Sequence, residues 1–169
     1  KEKLVQAELN NKLPKVLVVV HLTGSSCDME EISKLSQKYN FSIIEDASHA
    51  LGGSYKGNPV GSCQFSDVTV FSFHPVKIIT TGEGGVATTN NPDLFKKMTQ
   101  FRSHGIVRDK DEFKFLPNVP WGYEQQKLGF NYRMNDIQAA LGLSQLKRLD
   151  KIVNERNKLA TYYKNKLPA

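Results

Sequence analysis

Apolar and polar positions along the chain follow two rhythms. Lys15–Leu22 (KVLVVVHL) is a nearly unbroken β-branched run, the pattern of a strand buried on both faces. A loop, Thr23–Cys27, leads to Asp28, with Glu31 three residues on, a variant of the capping box that opens a helix. Ile32, Leu35 and Tyr39 recur at helical spacing, Asn40 ends the helix, and Phe41–Asp46 (FSIIED) reads as the next strand. Strand, helix and strand within ~30 residues predict a βαβ unit with a parallel pair. A Gly/Ser-rich segment follows, then a third strand at Val68–Phe73 and a short fourth at Gly84–Thr89. Asn91-Pro92-Asp93 is a helix start, with a cap, a first-turn proline and an acid beside it. Leu94, Met98 and Phe101 give that helix one inward face, and His104-Gly105 closes it.

The flanks are mainly helical. Lys1–Leu13 predicts a helix closed by Pro14. Ile106–Phe130 lacks strong periodicity and holds Pro117, Pro120, Trp121 and Gly122. A loop of that length inside a domain is usually functional or mobile. Asn135-Asp136-Ile137-Gln138 caps a helix, or a pair of helices, running to about Leu167. Met134, Ile137, Leu141, Leu146, Leu149 and Val153 lie on or near one side. Ala139, Ala140 and Gly142 permit another element to approach closely. The fold class is α/β.

At 169 residues the chain can build one domain with a real core. Its formal net charge of +6 is spread without a dense run, and aromatics do not interleave with basic residues as in RNA-binding modules, so no nucleic-acid partner is expected. The longest apolar run, Val16–Val20, is far short of the ~20 residues that span a bilayer, and no membrane partner is expected. The two cysteines, Cys27 and Cys63, suit a reduced cytoplasmic protein. Neither stands at a metal-site spacing from a histidine, so no metal is expected.

In parallel sheets ligands collect beyond the carboxyl ends of the strands. Three such ends carry polar groups: His21–Gly24, Glu45–His49 and Ser72–Lys77. Two of them supply complementary parts of a pyridoxal phosphate (PLP) site, which needs a lysine for the aldehyde and a carboxylate facing the ring nitrogen. Lys77 is the candidate Schiff-base lysine and proton carrier, and Asp46 the carboxylate. His49 can meet the ring's phenolic oxygen, and Ser72 with nearby amides the phosphate. Singly, each residue has a plainer reading: a surface lysine, a strand-end cap, a core histidine. Gly82-x-Gly84-x-x-Ala87 formally matches a dinucleotide fingerprint, but it precedes a strand instead of following one. The combination carries the reading.

Four blocks extend it: Glu45–Gly52 (EDASHALG), Ser72–Gly85 (SFHPVKIITTGEGG), Arg102–Ile106 (RSHGI) and Asn131–Leu146 (NYRMNDIQAALGLSQL). Together they resemble the DegT/DnrJ/EryC1/StrS family of sugar aminotransferases, and the wording around Lys77 is most similar to members acting at C4 of UDP-linked 4-keto-6-deoxy hexosamines. The resemblance implies the central part of a type I PLP-dependent aminotransferase large domain, a mostly parallel sheet flanked by helices. It implies the Schiff base on Lys77, the pyridinium partner on Asp46, a ring contact from His49 and a phosphate contact from Ser72. Asn131 would reach the phosphate of the partner subunit's cofactor in a homodimer. The reaction implied is transamination of a nucleotide-linked keto sugar, with glutamate as donor.

The resemblance also implies a segment before Lys1 and a smaller C-terminal domain after Leu167. Residues 1–130 would then be part of the PLP-binding domain, and 131–169 a helical segment leading toward the next. A second reading keeps the ancestry but makes the chain a catalytically silent α/β module with a structural or interaction role. Trp121 and Tyr123 fit sugar or nucleotide contacts and loop packing equally. Arg133 fits a donor carboxylate, nucleotide phosphates or a loop anchor.

Overall fold

The computed structural model describes residues 1–114 and 119–167; Pro117 lies outside them. The described chain gathers into two compact units, Lys1–Asn90 with Asp136–Ala169, and Asn91–Asn135.

In the first unit a four-stranded sheet has the order β1 (Val16–Val20), β2 (Ser42–Asp46), β5 (Val68–Ser72), β6 (Gly85–Thr88). The first three strands are parallel and β6 is antiparallel to β5. The expected βαβ unit is present, with α2 (Met29–Tyr39) as its crossover. Asp28 caps α2, accepting the Glu31 amide at 3.4 Å, and Asn40 ends it in the left-handed conformation at φ 55°. Helix α1 spans Glu2–Leu9 and stops short of Pro14. Between β2 and β5 the chain makes a small hairpin, β3 (Ser54–Tyr55) with β4 (Asn58–Pro59).

The core lies on one face of the sheet. Val19, Met29, Tyr39, Phe41 and Ile43 are buried together, with Leu4, Leu17, Ile32 and Leu35 packed around them. The expectation that the first strand is buried on both faces is not met. Val16, Val18 and Val20 are 47%, 56% and 47% exposed. The physical reason is that the helical core packs against one face of the sheet, where Leu17 and Val19 point; the opposite face is open even on the interior strand β5, where Val70 is exposed too.

The C-terminal helical segment is a pair, α4 (Asp136–Leu146) and α5 (Leu149–Lys166). Helix α4 runs over the loop between β5 and β6, and the small residue at 142 matters there: a Cβ on Gly142 would stand 2.7 Å from Thr81 Cγ2.

The second unit starts with α3 (Pro92–Arg102), where Asn91 accepts the amides of Asp93 and Leu94 at 2.9 and 3.1 Å. His104 and Gly105 take positive φ, 61° and 70°, and turn the chain away. The segment expected to be irregular holds a short antiparallel pair, β7 (Ile106–Val107) with β8 (Glu124–Gln125).

Candidate active site

The register aligns the carboxyl ends of the three parallel strands. Val20 lies beside Asp46, and Asp46 beside Val70. Side chains alternate along a strand, so Asp46, Val70 and Ser72 share the face opposite the core. Glu45 and Thr69, one residue earlier and one residue earlier respectively, are buried on the core side at 6% and 0% exposure.

Asp46 is held by the turn that follows it. Its Oδ1 accepts the Ser48 hydroxyl at 2.6 Å and the Ser48 amide at 3.1 Å. Those two bonds hold the carboxyl below the ordinary aspartate value, and the nearby charges of His49 and Lys77 add to the lowering. Asp46 is therefore an anion at neutral pH, with Oδ2 outside any hydrogen bond among the described residues. His49 Nδ1 accepts the Thr23 amide at 3.2 Å, which leaves its ring proton on Nε2 as a donor.

Lys77 stands in the connection from β5 to β6, and that connection is pinned. The Lys77 amide bonds His74 O at 3.0 Å, the Thr81 amide bonds Phe73 O at 3.0 Å, and the Thr80 hydroxyl bonds Phe73 O at 2.8 Å. Ile79, two residues past the lysine, is buried at 2%. Gln145 of α4 grips the Thr80 peptide from both sides, accepting its N–H at 3.2 Å and donating to its O at 3.0 Å. Ser72 Oγ accepts the His74 amide at 3.3 Å.

The structure thus brings Asp46, His49, Ser72 and Lys77 to one end of one sheet. Asn131 belongs to the second unit, where it forms an antiparallel bridge with Ser103. In that unit Arg102, Arg108 and Arg133 line one cavity of about 460 Å³. Trp121 is 80% exposed, and Arg108 lies 5.9 Å from the ring centre of Tyr123. Among the described residues no cluster of His, Cys, Asp and Glu is suited to a metal ion, and no helix is long and apolar enough to cross a membrane.

Two features escape a reading of the sequence. Gln145 lies on α4 seven positions after Gln138, which bonds Glu83 O of the same connection at 3.1 Å, and that spacing of two glutamines on one helix face is its signal. His21 and Glu45 form a buried pair at 2.6 Å although they are 24 positions apart.

The sequence profile of the DegT/DnrJ/EryC1/StrS aminotransferase family matches residues 1–169. The chain belongs to that family. Relatives within it include the UDP-4-amino-4,6-dideoxy-N-acetyl-beta-L-altrosamine transaminase of Campylobacter jejuni strain 81-176, 44% identical over 164 residues, covering 96% of this chain and 41% of that protein. The GDP-perosamine synthase of Caulobacter vibrioides is 42% identical over 153 residues, covering 90% of this chain and 38% of that protein. Among solved structures, Helicobacter pylori PseC, an aminotransferase of pseudoaminic acid biosynthesis, superposes with a TM-score of 0.83 at 39% identity, covering 96% of this chain and 41% of that one. The PLP-form of Spr1654 from Streptococcus pneumoniae gives 0.71 at 32% identity, covering 89% and 41%. The architecture is therefore part of the sugar-aminotransferase fold, and the chain spans about 41% of the C. jejuni relative's length.

Proposed function

We propose that this chain carries the cofactor centre of a PLP-dependent aminotransferase that transfers the amino group of glutamate to a UDP-linked 4-keto-6-deoxy hexosamine. The observation that carries the reading is the Asp46 carboxylate, kept ionised by Ser48 and close enough to feel the charge of Lys77, at the carboxyl end of a parallel sheet. The residues present fit the cofactor by the chemistry of the donor set: an anion whose Oδ2 makes no hydrogen bond among the described residues, an imidazole N–H, a strand-end hydroxyl and a lysine on a braced loop.

When bound, PLP supplies an aldehyde that takes up amino groups and a protonated ring that accepts electrons from the carbon losing its proton. Asp46 Oδ2 holds the proton on the ring nitrogen, because a fixed carboxylate stabilises the charged form. His49 donates Nε2–H toward the ring's phenolic oxygen. Ser72 Oγ contributes to the phosphate cradle, and Asn131 reaches the phosphate of the partner subunit in a homodimer. Lys77 Nζ would hold the cofactor's aldehyde and would be the group placed to move a proton there. The three arginines of the second unit are suited to the diphosphate of a nucleotide sugar, since guanidinium groups bind phosphate oxygens bidentately. The setting proposed is the cytoplasm.

The names of the relatives support the choice of sugar class. The test is amination of a UDP-4-keto-6-deoxy hexosamine with glutamate, comparing wild type with Lys77→Ala. Product from wild type and none from the variant is the result expected; equal rates would sink the mechanism.

A further inference from the structure

Behind the candidate site lies a buried polar group that none of this chemistry uses. His21 leaves β1 fully buried, and its Nε2 meets Glu45 Oε2 at 2.6 Å. Its other nitrogen, Nδ1, accepts the Cys27 amide at 3.3 Å. A ring nitrogen that accepts carries no proton, so the imidazole proton sits on Nε2 and is donated to the carboxylate. The second Glu45 oxygen accepts the Thr69 hydroxyl at 3.1 Å and the Ser66 hydroxyl as well. Both ends of the pair are thus fully partnered. A satisfied network in a low-dielectric interior is stiff and directional.

The position of the pair ties it to the site. Glu45 directly precedes Asp46. His21 directly follows Val20, the register partner of Asp46, and its amide bonds Asp46 O at 3.0 Å. Two residues past His21, the Thr23 amide is the bond that orients His49. The next residue, Gly24, has φ +91° and lies so close that a Cβ there would stand 2.8 Å from His49 O. The imidazole ties the exit of β1 to Glu45 and to the Cys27 amide, and the backbone of that same exit bonds Asp46 O and His49 Nδ1. An apolar residue at position 45 would continue the core face set by Ile43 without the cost of burying a carboxylate.

We infer that His21 and Glu45 are positioning residues of the cofactor site. They lock the exit of β1 to the end of β2, and so set where the Asp46 carboxylate and the His49 imidazole stand. The inference deepens the function proposed above and rests on it. Neither residue touches the reacting atoms; both act through Asp46 and His49.

The test uses this chain in two states. In the cofactor-free chain, imidazole ¹⁵N spectra report the His49 tautomer. Wild type is expected to show a fixed Nε2–H form, and Glu45→Gln, which keeps the size and removes the charge, an averaged signal. With ring-¹⁵N PLP bound, the ring-nitrogen shift of wild type is expected at its protonated position. In Glu45→Gln it is expected to move toward the unprotonated position, with a PLP Kd raised roughly tenfold or more, by analogy with orienting partners behind metal ligands. Thr69→Val removes one hydroxyl from the same carboxylate and is expected to move both spectra less, in the same directions. It carries the test if Glu45→Gln does not fold. Variants that melt earlier yet keep the wild-type His49 and ring-nitrogen signals would show a purely structural pair and overturn the inference. Wild type that binds no PLP would instead overturn the functional reading, while the cofactor-free spectra still decide the positioning role of the pair.

Discussion

Ser48 binds one oxygen of Asp46 twice, through its hydroxyl at 2.6 Å and its amide at 3.1 Å. The pair turns a strand-end aspartate into a fixed anion, and much of the site's electrostatics follows from it. Ser48→Ala removes the hydroxyl bond and leaves the amide. Carboxyl ¹³C titration is expected to place Asp46 below the ordinary value of 3.8 in wild type and higher in the variant. The sign for stability follows from the lowering. A depressed carboxyl stabilises the fold above its ordinary value and loses that contribution as pH falls through the depressed one. The Tm gap between wild type and Ser48→Ala should therefore be fully open at neutral pH and close as pH drops below 3.8.

Asp46→Asn keeps the shape and removes the charge. The rate of amino transfer is expected to fall by roughly 10²–10³-fold, the usual effect of losing one preorganised electrostatic partner. The fold should persist, because Ser48 can still donate to the amide oxygen. A steady-state assay beside a far-ultraviolet melting curve separates the two effects.

Gln145 makes two bonds to the Thr80 peptide, and both vanish in Gln145→Leu. Partly buried peptide groups left without partners cost about 1–3 kcal/mol. Denaturant titration is expected to show a loss of that order. Hydrogen exchange at the Thr80 amide should accelerate together with its neighbours in the Lys77 loop. Wild-type exchange in that loop would mean that α4 does not brace it.

Gly142→Ala sets two effects against each other. Alanine gains about 1 kcal/mol of helix propensity over glycine. The new Cβ would stand 2.7 Å from Thr81 Cγ2, and Thr81 is 3% exposed with its hydroxyl bonded to Glu83 O at 2.7 Å. Overpacking of that kind costs roughly 1–3 kcal/mol, so a net loss of stability is expected. A rise in Tm would show that the Thr81 loop yields freely.

The legible parts of the molecule are those with local signals. The βαβ unit shows because KVLVVVHL and FSIIED are β-branched or alternating and the helix between them has a cap at Asp28. Helix α3 shows because Asn91-Pro92-Asp93 is a start signal contained in three residues. The break between α4 and α5 falls at Lys147–Arg148, where no proline or glycine marks it and Leu146 and Leu149 continue the apolar stripe. The hairpin β3–β4 and the antiparallel pair β7–β8 have two-residue strands, too short for any period to register. The open face of β1 is equally hidden, since Val16, Val18 and Val20 look the same in sequence whether covered or not.

The same division holds at the site. Asp46, His49, Ser72 and Lys77 can be proposed from sequence because each sits at or just past the end of a strand that can be read. The His21–Glu45 pair does not, because its contact depends on the register between two strands. A histidine after a β-branched run gives no hint of which carboxylate it will meet.

The central claim is that Lys77 is the residue to which the cofactor attaches. Incubation of the chain with PLP, reduction with borohydride and mass mapping of the peptides tests it most directly. A pyridoxyl group on Lys77, absent from Lys77→Ala, is the result expected. A pyridoxyl group on another lysine, or equal labelling of wild type and Lys77→Ala, would contradict it.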